Sequence, residues 1–168
     1  AKRYLSEIKN DKIVMQSWDL SQNHVFHLFV IRTSNRIELQ NYLKENGITV
    51  VHVVSSSVFA LKAQEAGVDA IVAEGFEAGG HNGREETTTL TLIPMVKEKI
   101  KIPLIAAGGI ATGKGMLATM VLGADGVQMG SRFVASVESS AHDNFKNTVV
   151  NTKEGETQLT LKELAPVR

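Results

Sequence analysis

The chain has 168 residues, with 18 Lys plus Arg against 18 Asp plus Glu, 43% hydrophobic residues and no cysteine. This length and composition allow one globular domain, the neutral balance argues against a general nucleic-acid or anionic-membrane surface, and the lack of cysteine excludes disulfides and thiolate metal sites. No run approaches the roughly 18 to 20 apolar residues of a membrane span. A cytoplasmic protein without a signal peptide is expected, and the start at Ala1 without methionine is compatible with a processed or truncated chain.

Residues 1–38 are the least informative part of the sequence. A helix at 4–8, a polar turn at 18–23 and a buried strand at 24–31 are predicted, and none carries a motif. His24 and His27 stand among the apolar residues of that strand, so a shared metal site is one interpretation. Strand-borne polar side chains are the simpler one, because no third ligand is evident. We therefore predict no metal.

From residue 37 onward, helical patterns alternate with short apolar runs. Helices are predicted at 38–46, 58–66, 90–100, 113–122 and 141–151, with a short helical turn beginning at 132–136. The N-cap candidates are the hydroxyl residues at 55–57 and 87–89 and Thr112. The predicted stops are Gly47, Gly67 and Gly123. Pro94 is expected in or near the first turn of its helix, where proline is tolerated.

The apolar runs read as buried parallel strands at 48–54, 70–73, 104–107 and 127–129, with a further candidate at 158–161. A helix–glycine–strand phrase recurs in ENGITVV, EAGVDAIV and LGADGVQ. Units of about 20 to 35 residues match right-handed β/α crossovers. Because a closed eight-unit barrel needs about 250 residues, the chain forms either a small open sheet or part of a barrel.

Glycines end two successive predicted strands, at Gly108-Gly109 and at Gly130-Ser131. Without a Cβ, backbone N–H groups can approach an anion closely, and parallel β/α folds bind ligands at the carboxyl ends of their strands. Two such loops in succession predict a phosphate site. The simpler alternative is that these glycines only make tight turns.

A third loop, EAGGHNG at 77–83, surrounds His81 with glycines at the same edge. An imidazole there can take or give a proton near neutral pH. Glu74 or Glu77 could orient His81 or hydrogen-bond a bound cofactor. A solvated surface histidine is the alternative interpretation.

Three stretches together resemble one enzyme family: EGFEAGGHNG (74–83), PLIAAGGIATGKGM (103–116) and GADGVQMGSRF (123–133). They are similar to the nitronate monooxygenase (2-nitropropane dioxygenase) family, and the FMN-dependent enoyl-acyl-carrier-protein reductases are close relatives with nearly the same signatures. The similarity covers residues 39–168. The chain would then comprise a poorly matched N-terminal segment, 1–38, and the C-terminal half of an FMN-binding TIM barrel, 39–168.

The resemblance implies a partial TIM barrel with about strands 4 to 8, binding FMN without covalent attachment. His81 matches the family histidine proposed as the base that takes the proton α to the nitro group, and in the reductases it is implicated near the substrate and nicotinamide. Glu74 and Gly79 would line the flavin. The positions that would hold the FMN phosphate and ribityl region are Gly108, Gly109, Gln128, Met129, Gly130 and Ser131.

The sequence departs from the family upstream of Leu39. The first barrel strands are not recognisable, and HVFHLFVIRTSNR stands where a strand and a small-residue loop similar to VVFTSAGNP are expected. A change of reading frame is one hypothesis for this departure. A half-barrel would leave its parallel edges open, and a homodimer is one way to cover them.

The expected function is FMN-dependent oxidation of alkyl nitronates by O₂, with His81 as general base or substrate-orienting group. One alternative is NAD(P)H-dependent reduction of enoyl thioesters, and another is a phosphate-binding fragment without catalysis. The expected partner is a small-molecule substrate, with neither nucleic acid nor membrane involved.

Overall fold

The computed structural model describes residues 9–11, 14–15 and 31–159. The helix predicted at 4–8, the turn at 18–23 and most of the strand predicted at 24–31, with His24 and His27, lie outside these residues. Two short strands, β1 (Val14–Met15) and β2 (Ile31–Arg32), pair antiparallel. Sequence analysis did not predict this pairing. Residues 158–159 of the last candidate strand have no regular structure, and the rest of it is not described.

After β2, helices and strands alternate as the sequence predicts. Four strands form one parallel sheet in the order β3-β4-β5-β6. Most boundaries differ from the prediction by one to three residues. The elements are α1 (Arg36–Glu45), β3 (Val51–Val54), α2 (Ser57–Glu65), β4 (Ala70–Glu74), α3 (Thr89–Lys97), β5 (Leu104–Ala107), α4 (Gly113–Val121), β6 (Gly126–Gln128), α5 (Ser131–Val134) and α6 (Asp143–Asn151).

The core lies between one face of this sheet and the helices α2 and α3. Because successive strand residues point to opposite faces, every second residue of β4 and β5 enters this core. The strands contribute Ile71, Ala73, Leu104 and Ala106, and the helices contribute Ala60, Ala63, Leu92, Ile93 and Val96. The other face of the sheet therefore carries the remaining residues of each strand, which include Glu74 and Gln128.

Three helices end at the predicted glycines. Gly47, Gly67 and Gly123 have φ values of +69°, +84° and +106°, which glycine adopts without steric cost. In each case the glycine N–H donates to the carbonyl three residues before it, and the next N–H donates to the carbonyl five residues before it. This is the Schellman arrangement, which satisfies carbonyls at the end of a helix.

Two aspartates close the amino ends of paired strands. The Asp69 N–H donates to the Val50 carbonyl (2.8 Å), and the Val50 N–H donates to Asp69 Oδ2 (2.7 Å). Asp125 makes the same reciprocal pair with Leu104, at 2.7 and 2.8 Å. The bond from the Leu104 N–H, followed by the bond from Lys97 at 3.1 Å, lowers the pKa of Asp125. The amino edge of the sheet is thus held by the aspartates of the recurring sequences EAGVDAIV and LGADGVQ.

Pro94 lies near the first turn of its helix, as predicted. It is the sixth residue of α3 and stands at the start of the second turn. Proline there cannot donate to the Leu90 carbonyl, which weakens the start of the helix. Other contacts at Thr89 hold this end of α3.

Candidate functional site

The register of the sheet brings several predicted site residues together. Glu74 is paired with Ala107, and Ala107 is paired with Gln128. These three residues form one row at the carboxyl edge, on the face opposite the helix-packed core. The loops that begin at Gly108 and Met129 therefore leave the sheet side by side.

Both of these loops contain backbone N–H groups without an acceptor among the described residues. The helices that follow β3, β4 and β5 have side-chain acceptors at their starts: Ser56 for α2, Glu77 for α3 and Thr112 for α4. In contrast, α5 begins after Gly130 without a side-chain cap. Within the described part of the chain, no acceptor lies within hydrogen-bond distance of the N–H groups of Gly109, Gly130 or Ser131. These groups are available to an anion.

The two loops use their glycines differently. A Cβ on Gly130 would meet no atom within 4 Å, so the missing side chain leaves open space beside unpaired N–H groups. A Cβ on Gly108 would lie 2.8 Å from the Gly75 carbonyl oxygen and 2.8 Å from Thr89 Oγ1. A Cβ on Gly109 would lie 3.0 Å from Glu77 Cβ. Protein packing therefore accounts for glycine at 108 and 109, whereas no contact with a described residue accounts for it at 130.

His81 is exposed and borders a cavity of about 630 Å³ at the carboxyl ends of β3 and β4. Val53 and Phe59 supply apolar wall, and Glu74 lines the same cavity. Since Glu74 is paired with Ala107, it lies between this cavity and the loop after β5. Gly79, also at this edge, is exposed and has open space around its Cα.

Two side chains near His81 show the effects of burial. Burial raises the pKa of Glu74, so its carboxyl holds a proton to a higher pH than an exposed glutamate does. The Oδ1 atom of Asn82 is buried without a hydrogen-bond partner among the described residues. Most buried polar atoms have a hydrogen-bond partner, so this oxygen is an exception beside the cavity. Sequence analysis singled out Glu74 but missed Asn82, which only its position beside His81 could have suggested.

Glu77 is engaged elsewhere. Its carboxylate accepts from the Thr89 N–H at 2.9 and 3.2 Å and from Thr89 Oγ1 at 3.0 Å. It therefore caps α3, and the suggestion that it orients His81 directly or hydrogen-bonds a cofactor is not supported by these contacts. Thr88 occupies the N-cap position, as predicted, but its hydroxyl lies 3.2 Å from the Thr91 hydroxyl and makes no cap bond.

The described residues contain no group of three or more His, Cys, Asp or Glu that could hold a metal ion. Among the same residues, no helix is long and apolar enough to span a membrane. His142 accepts a hydrogen bond from the Asn144 N–H through Nδ1 at 3.1 Å, which makes it the cap of α6.

Parallel strands with glycine loops and unpaired N–H groups at one edge define the class of β/α proteins that bind ligands at their strand ends. Comparison with known proteins narrows this class. Residues 15–168 match the family model described as nitronate monooxygenase. The chain belongs to the nitronate monooxygenase family.

Relatives and solved structures agree with this assignment. A probable nitronate monooxygenase of Staphylococcus aureus is 42% identical over 126 residues, covering 70% of this chain and 36% of the relative. FabK from Thermotoga maritima is 47% identical with a TM-score of 0.73, covering 79% of this chain and 42% of that one. Nitroalkane oxidase from Streptomyces ansochromogenes is 32% identical with a TM-score of 0.62, covering 67% and 35%.

The predicted resemblance and fold class are confirmed. The four-stranded parallel sheet with its helices is part of a TIM-barrel fold. The chain spans 36% of the length of the curated relative from S. aureus.

Proposed function

We propose that residues 39–168 form the C-terminal half of an FMN-binding TIM barrel, in an enzyme that oxidises alkyl nitronates with O₂. The observation that carries this proposal is the pair of adjacent loops with unpaired N–H groups after β5 and β6, next to the cavity of His81. Membership in the nitronate monooxygenase family supports it.

The residues present fit a phosphate-bearing cofactor. Backbone N–H groups of Gly109, Gly130 and Ser131 would bind the phosphate, and the open space at Gly130 gives it room. The adjoining positions Gly108, Gln128 and Met129 would contact the ribityl region, with Glu74 and Gly79 along the flavin. Bound FMN would supply the redox chemistry, taking electrons from the substrate and passing them to O₂.

His81 would act on the substrate in the adjoining cavity. Its exposed imidazole can take the proton α to a nitro group or orient the resulting nitronate. Val53 and Phe59 would contact the alkyl part of the substrate. Glu74, whose pKa is raised by burial, can donate a hydrogen bond while protonated.

A second candidate is NAD(P)H-dependent reduction of enoyl thioesters. The three sequence motifs resemble both families, and a cavity of about 630 Å³ has room for a substrate much larger than a small nitroalkane. A third candidate is a phosphate-binding fragment that lacks catalysis.

An absorbance spectrum of the purified chain, with assays for O₂ consumption and NAD(P)H oxidation, tests these candidates. We expect a yellow chromophore that is released on denaturation, and O₂ consumption with an alkyl nitronate. NAD(P)H oxidation with an enoyl thioester, without nitronate turnover, would favour the reductase. Bound flavin with no turnover in either assay would favour the fragment, and absence of flavin would contradict the cofactor assignment.

A further inference from the structure

We infer that Glu77 is a positioning residue that couples the loop carrying His81 to the loop after β5, acting through Thr89. This inference rests on the proposed function, because it concerns how the proton-transfer group and the phosphate loop are kept in register. Glu77 belongs to the first loop, and Gly108 and Gly109 belong to the second.

The first half of this connection is the cap of α3. Both carboxylate oxygens of Glu77 lie within 3.2 Å of the Thr89 N–H, and Oε2 is also 3.0 Å from the Thr89 hydroxyl. Thr89 is buried, with 4% of its surface exposed. Hydrogen bonds to a charged group at a partly buried helix start are among the stronger ones in proteins. The loop that joins β4 to α3 is therefore fixed, through Glu77, to the start of the helix that follows it.

The second half runs from Thr89 to the end of β5. The Thr89 hydroxyl lies 2.8 Å from the Gly108 carbonyl oxygen and 3.3 Å from that of Ala107. Its single proton thus has three acceptors, counting the Glu77 carboxylate. The cluster is also sterically closed, because a Cβ on Gly109 would lie 3.0 Å from Glu77 Cβ. Movement of Glu77 would therefore disturb the path of the chain at 107–109.

The stretch between Glu77 and His81 has few other constraints. A Cβ on Gly79 or Gly80 would meet nothing within 4 Å, and Gly80 has a φ of +95°. The far side of the loop is held where Gly83 packs against Ser55, with an ideal Cβ 2.5 Å from Ser55 Cβ. The loop is also held by the backbone bonds from Phe76 N–H to the Thr87 carbonyl (2.9 Å) and from Gly75 N–H to the Ala107 carbonyl (2.9 Å). Glu77 is the side-chain anchor that reaches the phosphate loop through Thr89.

The charge of Glu77 is also engaged by Thr89 at the start of α3. A carboxylate beside Gly109 would oppose a phosphate if it faced the loop N–H groups. Its bonds to Thr89 turn it instead to the positive end of α3. The same contacts that hold the two loops together thus offset the charge of Glu77, whose carboxylate carbon lies 4.0 Å from an ideal Cβ on Gly109.

Two variants at position 77 and one control in the 168-residue chain test the inference. Glu77→Ala removes the cap. Glu77→Gln preserves its shape, because the amide oxygen in the place of Oε2 can accept from both the Thr89 N–H and the Thr89 hydroxyl. Glu98→Ala, an exposed glutamate at the other end of α3, is the matched control. The measurements are FMN fluorescence titration, kcat with a neutral nitroalkane, and amide hydrogen exchange without FMN.

We expect Glu77→Ala to weaken FMN binding and to lower kcat by about five- to thirtyfold each, the range that loss of a strong cap implies. Hydrogen exchange in this variant should accelerate both at 76–83 and at 108–110. Glu77→Gln should stay within about threefold of the native chain in both FMN affinity and kcat. The control Glu98→Ala should change none of these quantities.

Two outcomes would overturn the inference. Exchange in Glu77→Ala that accelerates in only one loop, or in neither, would show that Glu77 does not couple them. A kcat in Glu77→Gln as low as in Glu77→Ala, with normal FMN affinity, would mean that the carboxylate itself reacts. The exchange measurement needs no flavin, so it decides the coupling even if the native chain binds no FMN and the proposed function fails. If Glu77→Ala does not fold, Thr89→Val replaces it in the same measurements.

Discussion

The two ends of the parallel sheet satisfy their backbone groups in opposite ways. At the amino end, Asp69 and Asp125 each exchange two hydrogen bonds with the chain of a neighbouring strand. At the carboxyl end, the N–H groups of Gly109, Gly130 and Ser131 have no acceptor within the described residues. In β/α barrels generally, residues at the amino ends of the strands contribute to stability, and residues at the carboxyl ends bind ligands.

This difference separates the edge that the chain holds with its own side chains from the edge whose N–H groups we propose for a ligand. The amino edge uses side chains close to the strands they hold. At the carboxyl edge, Thr89 holds the loops through its hydrogen bonds to Glu77 and to the Gly108 carbonyl. The N–H groups of the next two loops stay unpaired within the described part of the chain. Substitutions at the two ends should therefore change different measured quantities. At the carboxyl end, substitution of one glycine should change stability, and substitution of another should change ligand binding.

The largest effect is expected at His81. His81→Ala should leave FMN bound and lower turnover of a neutral nitroalkane by about 10²- to 10⁴-fold, the usual contribution of a proton-transfer group. Steady-state kinetics with a flavin spectrum measure this. His142→Ala is the matched control: it removes the cap of α6, which should lower stability and leave turnover unchanged. Unchanged turnover in His81→Ala would remove this residue from the mechanism.

Gly108→Ala should lower the free energy of unfolding by about 2 to 4 kcal/mol, because strain at positive φ adds to overpacking. The residue has a φ of +102°, and the new Cβ would lie 2.8 Å from the Gly75 carbonyl oxygen. Urea denaturation measures this change. Gly130→Ala is the control, since its Cβ meets nothing within 4 Å and its φ is negative. Equal stability of the two variants would contradict the distinction between these glycines.

Gly130→Val tests the ligand side of the same distinction. A branched side chain beside the unpaired N–H groups should weaken FMN binding by about tenfold or more, equivalent to losing one charge-assisted hydrogen bond. Fluorescence titration measures the affinity. Gly126→Val, at the amino end of the same strand and also open to a Cβ, should bind FMN normally. Undiminished FMN affinity in Gly130→Val would move the phosphate away from this loop.

Much of the fold could be predicted because its signals are local. The stops at Gly47, Gly67 and Gly123 follow from the backbone conformation that only glycine adopts cheaply, and each lies where a helical pattern ends. The caps Ser56 and Thr112 likewise act within three residues of themselves. The observed strand order β3-β4-β5-β6 agrees with the partial barrel that the family resemblance implied, and consecutive parallel strands joined by a helix tend to be neighbours.

The contacts that sequence analysis missed are non-local. Glu77 caps a helix that begins twelve residues later, and no spacing rule distinguishes it from a glutamate that faces a ligand. The packing reason for Gly108 depends on Gly75 and Thr89, which meet it only in the folded sheet. The hydrogen-bonded pairs of Asp69 and Asp125 are partly local. Their GVD and GAD sequences repeat along the chain, but their partners Val50 and Leu104 belong to a neighbouring strand segment.

The smallest effect is expected at this amino edge. Asp125→Ala should cost about 1 kcal/mol of unfolding free energy, because the Leu104 N–H loses its side-chain acceptor. The ion pair with Lys97 should add little, since both side chains are largely solvent-accessible, at 40% and 53% exposure. Lys97→Met, which keeps the aliphatic stem against Gly123, tests that part separately and should cost much less.

The effect of Asp125 should depend on pH with a defined sign. Its pKa is lowered in the folded chain, mainly by the Leu104 N–H, so its stabilisation is present above the unfolded pKa of about 4 and is lost as pH falls through the folded value. The difference in unfolding free energy between native chain and Asp125→Ala should therefore be constant near neutrality and shrink in acid. Denaturation curves at neutral and acidic pH measure it. A difference that grows in acid would mean that Asp125 is not held as the charged acceptor, and the contrast between the two ends of the sheet would lose its support at this strand.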